Sequence, residues 1–208
     1  MCFLVKAWQD FKETYANAFI QYAIISVIIA VATFVGLKIA NVDPVVITKQ
    51  LITMLGGQEA LEEFQRANEH EMFFTLFLNN WGVCFKVLLF ALIPFPIYLF
   101  IYFVNSAMLG MVAYMMAVNG QSVLQGFVFG ILPHGIVELP TIILAVVVAM
   151  KLNNAMFKWI FSKFKSPVLK EQGKKAIRQF IFFMTPGMLI AGLIESYVTP
   201  YLMHWGIK

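Results

Sequence analysis

The sequence LQGFVFGILPHGIVELPTIILAVVVAM, residues 124–150, decides the class of fold. It contains one residue of the Asp, Glu, Lys and Arg types, Glu138, and it exceeds the about 20 apolar residues that a helix needs to cross a membrane. The whole chain has the same character, because 61% of its 208 residues are hydrophobic and only 12% are charged. A soluble domain carries about 25% charged residues. We therefore expect an integral membrane protein, and the continuous apolar runs argue against a membrane β-barrel.

Four other apolar segments are long enough to cross a membrane. Pro94 and Pro96 separate the second span from the third, and Asn-Gly-Gln-Ser at 119–122 separates the third from the fourth. The sequence predicts an all-α, polytopic transmembrane helix bundle of about five spans, with residues 1–208 as a single membrane domain. The predicted spans are about Phe19–Ala40, Phe73–Ile93, Ile97–Val118, Leu124–Met150 and Ala176–Tyr197. Because the turn at Pro94 has no Lys or Arg, one long bent helix over 73–118 is the alternative.

Three charged segments accompany the spans. Residues 1–18 have apolar side chains at helical spacing and are predicted to form an amphipathic interfacial helix. Residues 41–72 are acidic and are predicted to form a helical, water-facing insert that begins at Asp43-Pro44 and has a helix stop at Gly56-Gly57. Residues 151–176 are basic and are predicted to form an amphipathic segment in the headgroup plane.

The charges also predict an orientation in the cell membrane. The positive-inside rule makes residues 151–176 cytoplasmic, and the acidic insert is then extracytoplasmic. Five spans put the N-terminus in the cytoplasm and the C-terminus outside. Lysines beside a membrane suit anionic lipid headgroups, and so we expect lipid contacts and no nucleic-acid partner.

The sequence contains few features that indicate an enzyme. Cys2 and Cys84 are expected to be small hydrophobic residues and to form neither a disulfide nor a thiolate metal site. The sequence contains no Gly-x-Ser-x-Gly turn, no His-Glu-x-x-His and no phosphate-binding glycine loop. We expect no catalysis and no bound cofactor.

The fourth span contains polar groups that are costly inside a bilayer. A charged side chain at the bilayer centre costs at least about 2.5–3.5 kcal/mol. Residues at every fourth position form a single stripe along a helix, and we expect the stripe to face the bundle interior. The stripe consists of Gly126, Gly130, His134 and Glu138. Its glycine half allows another helix, including one of a second copy, to approach closely. Pro133 and Pro140 each remove a backbone donor near its polar half.

Three interpretations of His134 and Glu138 remain open. A metal site is the weakest, because two ligands need at least one more and His70 and His204 are expected outside the bilayer. No metal is therefore predicted, and Glu195 is expected to reach the membrane interface.

The second interpretation is a proton- or ion-coupled transport site, which Lys86 could approach as a counter-charge. The third is that the pair satisfies backbone groups and fixes helix packing. Asn80 and Asn105 support this interpretation, because amide hydrogen bonds between helices contribute about 0.6–2 kcal/mol each. Packing and assembly is the favoured interpretation.

Residues 132–140, Leu-Pro-His-Gly-Ile-Val-Glu-Leu-Pro, resemble the signature Pro-His-Gly-x-x-Glu-Leu-Pro of the stage II sporulation protein M family. Asn79-Asn80, the segment 105–110 and Asn119-Gly120 have compatible order and spacing. The resemblance implies that His134 and Glu138 are the central residues, with Pro133, Gly135 and Pro140 shaping the helix around them.

The resemblance implies a role rather than a reaction. The sporulation member anchors and organises peptidoglycan-degrading partners at the division septum. We accordingly expect a non-enzymatic membrane scaffold that organises envelope partners through the acidic insert or the basic face and that can dimerise through Gly126 and Gly130. The alternative is a proton- or ion-coupled transporter that uses His134 and Glu138.

Overall fold

The computed structural model describes residues 3–54 and 57–206 of the chain. In this part of the chain seven helices follow one another: α1 Phe3–Ile39, α2 Pro44–Met54, α3 Gln58–Arg66, α4 Glu69–Phe90, α5 Tyr98–Val118, α6 Val123–Phe161 and α7 Val168–Gly206. Five of them, α1 and α4–α7, are long and apolar enough to cross a membrane. The predicted all-α, five-span fold is confirmed, and the protein is a multi-pass membrane protein. Cys2 and the predicted helix stop at Gly56 lie outside the described residues.

One end of the bundle joins the start of the chain to the basic segment. Arg178 of α7 donates a hydrogen bond of 2.7 Å to the carboxylate of Asp10 in α1. Asn153 of α6 donates to backbone carbonyls in the turn 91–97 that connects α4 with α5. We call this the basic end, defined by residues 162–178.

The opposite end gathers the acidic insert and the end of α7. Tyr114 of α5 donates to the carbonyl of Val42, immediately after α1. His70 at the start of α4 lies 2.6 Å from the hydroxyl of Tyr197 in α7, measured from Nδ1. We call this the acidic end, defined by residues 41–72.

Two helices extend further than the sequence predicts. Residues 1–18 are not a separate helix in the described part of the chain, because α1 continues from Phe3 into the first span through a π-helical turn at Phe11–Tyr15. The span predicted to end at Met150 continues to Phe161, since residues 151–161 contain neither Gly nor Pro.

The predicted amphipathic segment 151–176 is therefore divided. Its first part is the end of α6, and its last part is the beginning of α7. Phe164, within the predicted amphipathic segment, lies beyond the helix with a left-handed φ of 67°. This backbone conformation ends the helix and reverses the chain toward α7.

Helix α6 is the centre of the bundle. Every residue from Thr141 to Ala149 is buried, as expected for a helix that is apolar on all sides. Val146, Val147 and Val148 are completely inaccessible. Tyr15 of α1 and Met184 of α7 belong to the same apolar core.

Several long helices contain a turn of π-helix, and three of these turns precede a proline. A proline cannot donate to the carbonyl four residues earlier, and its ring crowds that carbonyl. One additional residue in the preceding turn relieves this conflict and lets the helix continue. The three π-helical turns are Gly126–Ile131 before Pro133, Phe180–Met184 before Pro186 and Ile194–Val198 before Pro200.

Candidate functional site

A cavity of about 340 Å³ lies among α1, α4, α5, α6 and α7 and brings together polar side chains from all five helices. It contains His134, Glu138, Asn80 and Asn105, four of the polar residues that the sequence singles out. We call it the polar cavity. Its polar lining residues are Ser26, Asn79, Asn80, Tyr102, Asn105, Ser106, His134, Glu138 and Glu195.

Three titratable side chains meet in this cavity. One ligand atom each from His134, Glu138 and Glu195 lies within 4.8 Å of the other two. His134 and Glu138 are one turn apart on α6, and α7 supplies Glu195. The expectation that Glu195 reaches the membrane interface is wrong, because its side chain is turned into the bundle. We call these three residues the His–Glu–Glu cluster.

Hydrogen bonds define the tautomer of His134. Its Nδ1 lies 3.4 Å from the hydroxyl oxygen of Thr199. That hydroxyl donates its only proton to the carbonyl of Ile194, at 3.2 Å. With the hydroxyl proton directed to Ile194, its oxygen is an acceptor for Nδ1, and on this basis we assign the proton of the neutral ring to Nδ1. Nε2 then carries a lone pair, the form in which an imidazole accepts a proton or binds a metal ion.

The described lining of the cavity provides no permanently charged cation to the two glutamates. No Lys or Arg is among the described residues that line it, and Lys86, predicted as a counter-charge, is exposed and does not line it. One carboxylate oxygen of Glu195, Oε2, is buried without a hydrogen-bond partner in the described structure. At an effective dielectric constant of about 20, two negative charges less than 5 Å apart repel each other by at least about 3 kcal/mol. Protons or a cation must neutralise this pair.

The His–Glu–Glu cluster lies toward the acidic end of the bundle, although Tyr102, near the start of α5, also lines the polar cavity. On α4 its lining residues are Leu76, Asn79 and Asn80, and Leu76 is about 10 Å along the helix from the start at Glu69. On α6 the lining ends at Ile143. The buried apolar core separates the cavity from the basic end.

The prolines of the signature leave α6 continuous. Pro133 follows the π-helical turn, and Pro140 lies inside the helix. Beside Pro140 the hydroxyl of Thr141 donates to the carbonyl of Val137, at 2.7 Å. Gly135 is buried within the same helical segment. The helix therefore presents His134 and Glu138 from a continuous backbone.

The two glycines predicted to pack against another helix have partners within the chain. A Cβ at Gly126 would collide with Met116 of α5, and a Cβ at Gly130 would collide with Met203 of α7. In this structure both positions serve intramolecular packing.

Sequence reasoning missed two contributors to the site, Glu195 and Thr199. A signal for them was present, because Glu195 is the only acidic residue after Glu171 and lies within an apolar span. Glu195 and Thr199 are also four residues apart, which is the spacing of His134 and Glu138. The side-chain contacts between α6 and α7 have no comparable sequence signal.

Comparison with known proteins identifies a family. The family model described as Stage II sporulation protein M matches residues 12–200 and so covers most of the chain, including all residues of the His–Glu–Glu cluster. Searches of curated proteins and of solved structures returned no match. The earlier resemblance, which rested on residues 132–140, is confirmed over residues 12–200, which include most of all five membrane-length helices. This chain belongs to the stage II sporulation protein M family.

Proposed function

We propose that this protein is a non-enzymatic membrane protein that binds protons or cations at the His–Glu–Glu cluster and moves them across the membrane. The observation that carries this proposal is the presence of three titratable groups from two helices in a polar cavity whose described lining residues include no Lys or Arg. Ionisable residues inside a membrane protein mark ion pathways and proton relays. Of the two functions considered from the sequence, the geometry supports transport better, because Glu195 joins His134 and Glu138.

Protonatable side chains continue from the cluster toward the acidic end. Tyr197 follows Glu195 on α7 and contacts His70, and the hydroxyl of Tyr201 donates to Glu69 at 3.4 Å. These groups supply donors and acceptors between the cavity and the acidic surface. Transport additionally requires the apolar core around Val146–Val148 to open toward the basic end.

Flux through proteoliposomes tests the proposal. Purified protein is reconstituted in vesicles that contain a pH-sensitive or a metal-sensitive dye, and H⁺, Na⁺ and Mn²⁺ gradients are imposed in turn. We expect flux of at least one cation from wild type and its loss in Glu138→Gln and Glu195→Gln. Glu171→Gln, an exposed carboxylate on α7, is the matched control and keeps wild-type flux.

Gel filtration and thermal unfolding establish that each variant is folded. If folded Glu138→Gln and Glu195→Gln both retain wild-type flux, the cluster is not the transport site. If wild type moves none of the cations faster than empty vesicles do, transport itself is excluded.

The second candidate is a membrane scaffold that organises envelope or peptidoglycan-remodelling partners. Family membership supports it, as does the exposure of the glutamates on α3, which offer a charged surface for a partner. Under this function Glu138→Gln is silent for flux and instead prevents helix association or partner capture. A second copy of the chain is one candidate partner.

The proposed setting is the cell membrane, with the basic end in the cytoplasm facing anionic lipid headgroups. The charge asymmetry between the two ends supports this orientation. It places the His–Glu–Glu cluster nearer the outer surface.

A further inference from the structure

We propose that the His–Glu–Glu cluster is a binding site for one divalent transition-metal ion, of the Mn²⁺, Fe²⁺ and Zn²⁺ class. The ligands are Nε2 of His134 and one carboxylate oxygen each from Glu138 and Glu195. This assignment builds on the proposed function by naming the cation that the cavity accepts. A protein that binds the metal ion but does not transport it gives a different experimental result from a protein that does neither.

The donor set selects this class of ion. One ligand atom from each residue lies within 4.8 Å of the others, and a metal ion between ligands at about 2.0–2.2 Å holds them about 3–4 Å apart. Small side-chain rotations are therefore sufficient to close the site. An imidazole suits Zn²⁺ and Fe²⁺, whereas carboxylates suit Mn²⁺ and other hard ions. Mg²⁺ and Ca²⁺ prefer oxygen ligands alone, and so the histidine disfavours them.

Charge balance favours a divalent ion over a monovalent one. Two carboxylates carry two negative charges, the ring of His134 is neutral in the assigned tautomer, and no other described lining residue carries a charge. One divalent ion makes the site neutral, which lowers the cost of holding it away from water. A single Na⁺ or K⁺ would leave one uncompensated negative charge. Two protons are the alternative means of neutralisation, and so protons and the metal ion compete.

The unpartnered oxygen of Glu195 supports a ligand at this position. A buried carboxylate oxygen without a donor is costly, and Oε2 of Glu195 is one of few such atoms in the described structure. A metal ion would satisfy it. None of the exposed glutamates of α3 has a buried carboxylate oxygen without a hydrogen-bond partner.

Thr199 has the role of a positioning residue. A metal-binding histidine usually donates its other ring N–H to an oxygen, which fixes the ring and the tautomer. Thr199 accepts that hydrogen bond from His134 and is held in turn by the carbonyl of Ile194. The polar cavity, at about 340 Å³, has room for water molecules at the remaining coordination positions, since one water occupies about 30 Å³.

The experiment titrates Mn²⁺ into chelator-treated, purified full-length protein. Free Mn²⁺ is counted by its electron paramagnetic resonance signal, and pulsed measurements detect the nitrogen of a directly bound imidazole. We expect one Mn²⁺ per chain with a nitrogen coupling in wild type, displacement by Zn²⁺ and no displacement by equimolar Mg²⁺. His134→Gln, Glu138→Gln and Glu195→Gln should lose binding at concentrations that saturate wild type.

Thr199→Val and Thr185→Val form a matched pair. Each threonine precedes a proline after a π-helical turn of α7, but Thr185 accepts a hydrogen bond from Trp81 instead of contacting His134. Loss of an outer-shell partner weakens metal binding by about 10–100-fold, and so we expect this loss for Thr199→Val and wild-type affinity for Thr185→Val.

The wild-type spectrum keeps the test informative even if variants misfold. Absence of stoichiometric Mn²⁺ and Zn²⁺ binding, or bound Mn²⁺ without a nitrogen coupling, overturns the metal site. Proton flux that depends on Glu138 but occurs without metal binding would leave the proposed function standing and remove the metal assignment. Binding of the metal ion without flux of any cation would leave the metal assignment standing and remove the proposed transport function.

Discussion

At the scale of single residues, Asn153 shows how one buried amide can organise a turn. It is 3% exposed, and its Nδ2 donates to the carbonyls of Ala91 and Ile93, at 3.0 and 2.7 Å. The turn at 91–97 contains two prolines and cannot use its own backbone donors fully. Asn153 therefore supplies a donor to the carbonyl of Ala91 and a second donor to the carbonyl of Ile93, which also accepts from the N–H of Phe95.

We expect Asn153→Leu to destabilise the protein by about 2 kcal/mol, because the buried carbonyl of Ala91 loses its side-chain donor and the carbonyl of Ile93 loses one of its two donors. Asn154→Leu changes the neighbouring, exposed residue and is the control. Thermal unfolding in detergent measures both variants. Equal midpoints for the two variants would show that the hydrogen bonds to the turn contribute nothing to stability.

The composition of the site could be predicted only in part from single residues. His134 and Glu138 were visible because ionisable groups in an apolar run are rare and their spacing fixes a common face. Glu195 was not connected to them, because it is 57 residues from Glu138 along the chain and only the packing of α7 against α6 brings the two carboxylates together.

At the scale of elements, α1 and α5 are joined by small and polar residues in a regular register. Three contacts between them recur every four residues: Tyr22 with Tyr102, Ser26 with Ser106, and Ala30 with Gly110. The constant offset means that the two helices run parallel. Small residues at this spacing let helix backbones approach closely in a membrane.

Gly110→Ala should weaken this pair of helices, because a Cβ at Gly110 would clash with the carbonyl of Ala30. We expect a loss of about 1–3 kcal/mol from overpacking. Gly82→Ala on α4 meets nothing within 4 Å and should be neutral or slightly stabilising through helix propensity. Unfolding midpoints in detergent compare the two, and a stabilised Gly110→Ala would contradict the close approach.

The number of helices and their order could be predicted from hydropathy. The side of each helix that faces the core could not. Each π-helical turn inserts a residue, so the side of the helix that faces the core shifts by one position after it. The stripe drawn from Gly126 to Glu138 assumed an uninterrupted α-helix. In the structure Gly126 meets α5 and Gly130 meets α7.

At the scale of the whole molecule, one ion pair joins the first spanning helix to the last. The side chains of Asp10 and Arg178 are only 10% and 15% exposed. The exposed pair of Glu62 and Arg66, at 53% and 82%, lies within α3 and joins no other element. Buried and exposed pairs differ strongly in what their disruption costs.

Arg178→Met should destabilise the protein by about 3–5 kcal/mol, because it leaves Asp10 charged, buried and unpaired. The double variant Asp10→Asn/Arg178→Met should recover part of the loss, and Arg66→Gln should change stability by less than about 1 kcal/mol. Unfolding midpoints of the three proteins provide the measurement. A double variant less stable than Arg178→Met would exclude an unpaired charge as the cause.

The orientation of the molecule is a further prediction at this scale. In a background without Cys2 and Cys84, Glu63→Cys should react with a membrane-impermeant maleimide on intact cells. Lys165→Cys should react only after permeabilisation, because the basic end is proposed to be cytoplasmic. Both positions are exposed. The opposite labelling pattern would invert the orientation and place the His–Glu–Glu cluster nearer the cytoplasm.

The pairing of Asp10 with Arg178 also constrains the order of assembly during synthesis. The two residues are 168 positions apart, and ribosomes add about 5–20 residues per second, so Asp10 enters the membrane region roughly 10 to 30 s before its partner exists. During that interval the nascent first helix has no guanidinium to compensate its carboxylate. Completion of the bundle therefore depends on α7, which leaves the ribosome after the other four membrane-length helices.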